Sequence, residues 1–134
     1  MGVLSGTLAS LTGIFVLCML FGFNHQQYVT MLPKSITTAI GIGISEELGG
    51  IVTITVAVII ITGILGNVIA DTVFHIFKIK NPLAKGLALG TASHAIGTAR
   101  AIEMGPVEGA MSSLAVAVAG LLTVVFVSGF AQLI

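Results

Sequence analysis

The stretch Ile51–Phe77, IVTITVAVIIITGILGNVIADTVFHIF, is the most apolar run in the chain and carries no charge before Asp71. Its β-branched residues favour strands in water. A spanning strand, however, needs only about ten residues and alternates polar with apolar, and this run shows neither alternation nor turn signals. As a helix it is long enough for a hydrocarbon core of about 30 Å. The run therefore predicts a transmembrane helix, and the rest of the fold is read outward from it.

On its C-terminal side lies the basic loop Lys78-Ile79-Lys80-Asn81-Pro82. Asn81 is a good cap and Pro82 a good first helical residue. The positive-inside rule places this loop, with Lys85, on the cytoplasmic side. The next segment, Leu83–Met104, is apolar on average but holds Lys85, Ser93, His94, Thr98, Arg100 and Glu103 among several glycines. No helix with that load faces lipid all round. Gly105-Pro106 ends it, and Val107 to about Ile134 forms a last span whose Gly109, Ala110, Ser112, Ser113 and Gly120 favour close helix contact.

On the N-terminal side, Gly49-Gly50 breaks the chain. Pro33–Leu48 reads as a helix starting at Pro33, rich in Ser, Thr and Gly and ending in Glu46-Glu47. Its reach of roughly 24 Å falls short of a bilayer core, so a partial or re-entrant helix is expected. Asn24–Tyr28 separates it from a first span over residues 3–23, and Tyr28 suits a membrane interface. The start lacks the basic flank of a signal peptide, which predicts a retained helix.

Composition agrees. Of 134 residues, 56% are hydrophobic and 7% charged, too few to wet a soluble surface. Five basic residues balance five acidic ones, so nucleic acid is not an expected partner. His25, His75 and His94 lack ligand spacing, and no nucleophile has a neighbouring base. The expectation is a non-enzyme with no metal and no cofactor. Cys18 has no second cysteine to pair with and reads as packing.

Sliding the sequence by 56 positions aligns Ala39-Ile40-Gly41 with Ala95-Ile96-Gly97, and Glu47 to Ile51 with Glu103 to Val107. The expectation is an internal repeat over about 33–77 and 89–133 within one membrane domain, 1–134. Each copy is a short or broken polar helix followed by a long span. Such duplicated, Gly-interrupted segments point to a transporter's binding site, because broken helices expose backbone groups to substrate. The fold class is thus an all-α polytopic membrane protein with two related units and an N-terminal span.

Leu32-Pro33-Lys34-Ser35-Ile36-Thr37-Thr38, Ile44-Ser45-Glu46-Glu47-Leu48-Gly49-Gly50 and Gly86–Ala101 (GLALGTASHAIGTARA) carry a resemblance to the LrgB/CidB/YohK family of bacterial inner-membrane proteins over about residues 30–120. Family members are usually longer, so the chain looks like the C-terminal portion of such a protein. The resemblance implies one of two functions. One is an antiholin-like regulator of murein hydrolase activity and autolysis, paired with a small LrgA/CidA-type membrane subunit. The other is a carrier of small monocarboxylates such as glycolate, glycerate or pyruvate. Copies of the chain itself are the other expected membrane partner.

For a carrier, Ser93, His94, Thr98 and Arg100 would line the substrate site, with Thr37 and Thr38 from the other unit. Arg100 offers a planar two-point fork for a carboxylate, and the hydroxyls offer donors. His94, Glu47 and Glu103 are the candidates for ion or proton coupling. The structural alternatives are an ion pair of Arg100 with Glu103 or Glu47, a packing role for His94, and an interfacial Asp71–His75 pair. Polar groups of both units converging on one place would favour the carrier. Their dispersal into peripheral ion pairs would favour the regulator.

Overall fold

A computed structural model describes residues 1–134 as six helices: α1 (Gly2–Phe21), α2 (His25–Met31), α3 (Thr38–Glu47), α4 (Val52–Ile76), α5 (Pro82–Met104) and α6 (Pro106–Ala131). α1, α4 and α6 are each long and apolar enough to cross a membrane. Their outward faces leave Leu20, Val68, Ile64, Leu121 and Val125 exposed. Lipid is the solvent that suits those faces, so the chain is an all-α membrane protein.

Local chemistry sets most of the boundaries. Asn24 and Gln27 form a reciprocal capping box at α2. Gly49, at φ 77°, ends α3, and the Gly50 amide returns to the Ser45 carbonyl at 2.7 Å. The Asn81 side chain accepts from the Leu83 amide at 2.9 Å, with Pro82 opening α5.

One boundary differs from the sequence reading, and one expected interruption receives its position. Pro33 does not begin a helix: residues 33–36 form turns, Thr37 is extended, and α3 starts only at Thr38. The Ser35 hydroxyl is held 2.9 Å from that of Ser10 on α1, so a side-chain contact fixes the chain where a helix would otherwise propagate. α3 is consequently ten residues, about 15 Å long. α5 is a broken polar helix, as expected, and the break falls at His94, whose φ 45°, ψ −138° divides it into halves 82–93 and 95–104.

α5 lies between α4 and α6, and α3 packs on α4 rather than squarely on α5. Gly86 and Gly90 let α5 approach the α6 backbone at Glu108 and Ser112, and a Cβ at Gly90 would stand 2.8 Å from that of Ala115. The main apolar core joins Leu11, Ile14 and Cys18 of α1 to Tyr28 and Val29 of α2 and Val127 of α6. Tyr28 thus lies in this core and not on the outer surface. It is wholly buried, and its hydroxyl donates to the Phe130 carbonyl at 2.7 Å, the satisfied polar tip that a buried tyrosine requires.

Candidate functional site

The break in α5 is built against α4. His94 is buried, and its Nε2–H donates to the Ile59 carbonyl at 2.9 Å. The ring reaches that carbonyl because α4 has a glycine beside it: a Cβ on Gly63 would lie 2.7 Å from the imidazole Cε1. One turn on, Gly66 receives Ser93, and a Cβ there would overlap the Ser93 hydroxyl. Asn67 donates from Nδ2 to the Ile96 carbonyl at 3.1 Å. The Thr98 hydroxyl donates to the His94 carbonyl at 3.0 Å and accepts from Ser112 of α6 at 2.8 Å. Backbone groups around the break thus find side-chain partners, as an environment without water demands. Gly63, Gly66 and Asn67 recur at helical spacing inside the most apolar run, a signal for this face that the reading of that run as a plain span passed over.

The polar end of α5 is organised differently. Arg100 pairs with Asp71 of α4 through one guanidinium nitrogen and with Glu103 through the other, the latter at 2.7 Å. The i+3 pair with Glu103 forms. Asp71 takes the place expected for Glu47, and no Asp71–His75 pair exists. All three partners are substantially exposed. Glu46 and Glu47 are exposed and unpaired. Thr37 and Thr38 are half-buried at the start of α3, where Thr37 makes no side-chain cap bond. The sequence-derived site residues therefore divide among three places: Ser93, His94 and Thr98 at the break, Arg100 and Glu103 at an ion-pair cluster, and Thr37, Thr38 and Glu47 on α3.

A second polar centre brings together elements that the sequence does not align. Thr7 and Ser10 of α1, Ser35 of the 32–37 turn, Thr91 of α5 and Thr123 of α6 surround a cavity of about 10 Å³. That volume holds about one water. The Thr7 and Thr91 hydroxyls are buried there without a protein partner. Lys34 Nζ donates to Ser35 Oγ at 2.9 Å, which leaves the Ser35 hydroxyl hydrogen free for Ser10. The chain of hydroxyls is thus oriented away from an ammonium that no carboxylate neutralises. Beside it a groove of about 750 Å³ opens between α1 and α5, where Lys34, Ser5, Ser10, Ser35 and Thr91 supply the polar lining. Such donors suit an anionic oxygen. Sequence reading did not bring Lys34 to this groove, because spacing says nothing about which helix meets a turn.

The family model for LrgB-like proteins matches residues 1–133. The chain belongs to the LrgB-like family. It is 40% identical over 132 residues to "Antiholin-like protein LrgB" of Bacillus subtilis (strain 168), covering 98% of this chain and 57% of that relative. It is 41% identical over 128 residues to the protein of the same name in Bacillus cereus (strain B4264), covering 96% of this chain and 56% of that relative. The chain thus spans a little over half the length of these relatives, and the match extends beyond the residues that carried the resemblance. No solved structure matches it.

Proposed function

We propose that the chain belongs to an antiholin-like protein of the bacterial inner membrane that restrains murein hydrolase activity, working with a small LrgA/CidA-type membrane subunit. The observation that carries this reading is the 40% identity, over nearly the whole chain, to relatives bearing that name. The structure is consistent with it: outward faces are apolar, so action from within the bilayer through helix contacts is what this surface suits. The exposed Arg100–Asp71–Glu103 cluster is also the peripheral ion pairing expected of a regulator. The test is a full-length protein containing this chain, expressed in a Bacillus strain that lacks its own LrgB. Restored resistance to detergent-induced autolysis is expected, and lysis as fast as in the empty host would defeat the reading.

A second reading, a carrier of small monocarboxylates, is favoured by one specific observation: the unneutralised Lys34 beside the hydroxyl-lined groove. Lys34-Ser35 lies in the 32–37 turn and Thr91 just before the His94 break, and Thr38 and His94 are 56 positions apart, the offset of the proposed duplication. In this reading the two interrupted segments are equivalent, and their polar residues form the substrate path with Ser93, His94 and Thr98 as its joint. Uptake of labelled pyruvate, glycolate and glycerate into proteoliposomes holding the full-length protein and its partner subunit tests it. Uptake lost in Lys34→Gln and kept in Arg100→Gln is the expected result. No uptake of any of these acids by the wild type under a proton or sodium gradient excludes the carrier.

A further inference from the structure

At the α4–α5 turn three lysines face one groove whose single carboxylate is already paired elsewhere. Lys78, Lys80 and Lys85, with His75, line a space of about 620 Å³. The groove's one carboxylate, Asp71, is bound to Arg100. Lys85 is folded in, its ammonium 5.8 Å from the centre of the Phe74 ring. Lys78 occupies the left-handed position that closes α4, at φ 53°, where the Ile79 amide returns to the Phe74 carbonyl at 2.8 Å. Glycine is the residue such a closure favours. A lysine there puts a cation at the rim at a conformational cost.

The groove continues into an apolar one. Phe74 is shared with a cleft of about 140 Å³ between α4 and α5, walled mainly by Ile69, Ala70, Val73, Ala88 and Leu89 and closed at its far end by Gly66 and Ser93 of the helix break. Ile76, Phe77 and Leu83, beside the lysines, are exposed. A ligand that fills both parts carries a negative, hydrogen-bond-accepting head and a hydrocarbon tail. We propose that this turn is a binding site for an anionic phospholipid, its phosphodiester held by Lys78, Lys80 and Lys85 and one acyl chain lying in the α4–α5 cleft. Basic pockets beside membrane helices take anionic headgroups in this way, and each lysine near a phosphate supports binding as a mobile point charge. The apolar cleft is what selects a lipid over free phosphate.

The experiment is lipid counting by native mass spectrometry on the full-length protein released from detergent, with phosphatidylglycerol and phosphatidylcholine of identical chains offered together. A preference for phosphatidylglycerol is expected. Replacing the three lysines by glutamine (K78Q, K80Q and K85Q together) should reduce it on the order of 100-fold, from roughly one decimal order or less per lysine. The corresponding triple arginine variant should retain it, which separates loss of charge from loss of fold. Millimolar inorganic phosphate should not displace the lipid. Equal binding of the two lipids by the wild type, or an undiminished preference in the glutamine variant, overturns the site. Displacement by phosphate overturns the role of the cleft.

Discussion

Gly66→Ala tests the account of the broken helix most directly. A Cβ on Gly66 would stand 2.7 Å from Ser93 Cβ and overlap its hydroxyl, whereas relaxed carbon contacts lie at about 3.5–4.0 Å. Relief requires α4 and α5 to part by roughly 1 Å at this level. That movement would stretch the 2.9 Å His94–Ile59 bond beyond hydrogen-bonding range. Overpacking of about 1–3 kcal/mol, with about 1 kcal/mol for the weakened bond, gives a destabilisation of about 2–4 kcal/mol. Equilibrium denaturation in detergent, followed by circular dichroism, measures it. The second-site change Ser93→Gly removes the atoms in conflict, so Gly66→Ala/Ser93→Gly should recover most of the loss, as a double-mutant coupling of opposite sign to the single effects. A Gly66→Ala protein that unfolds with the wild type, or a double variant whose losses simply add, would refute the reasoning.

Three further outcomes follow from the same geometry. His94→Gly and His94→Ala both lose the bond to Ile59, but only alanine keeps a Cβ at φ 45°; the glycine variant should be the more stable by about 1 kcal/mol in the same denaturation assay. Thr55→Val removes the donor to the Thr30 carbonyl at 2.9 Å and the partner of the Ser45 hydroxyl at 2.8 Å, all buried; a loss of about 1–3 kcal/mol is expected, and a neutral effect would show that water already serves these groups. Arg100→Gln should leave the unfolding midpoint where it is, because its ion pairs are exposed and screened; a clear fall would mean that the cluster is buried in an assembly.

The long elements were legible because the bilayer imposes a length and a composition on them. Asn81-Pro82 and Gly49-Gly50 mark their ends by chemistry that acts within one turn. That this helix would be short or broken was legible, but the place of the break was not: the sequence around it, Ala92-Ser93-His94-Ala95, holds neither proline nor glycine. It exists because α4 offers Gly63, Gly66 and Asn67 to the ring, the hydroxyl and a freed carbonyl. Arg100 was placed on the right helix, and its i+3 partner was foreseen, but Asp71 depends on how α4 and α5 are registered. Thr7, Ser10, Ser35, Thr91 and Thr123 come from four separate elements, and helical periodicity relates residues only within one. Tyr28 shows the same limit. Its type fits an interface, and only the arrival of α6 makes it core.

That contact governs when the fold can close. Tyr28 donates to the Phe130 carbonyl at 2.7 Å, so the second helix is fastened to the last turn of the sixth. During synthesis the chain leaves the ribosome from its N-terminal end, and everything between must be inserted before that acceptor exists. Until then the Tyr28 hydroxyl lacks its acceptor and the core around Val29 and Leu32 lacks Val127 and Ala131, so the packing of α1 against α2 is completed only by the last turns of α6.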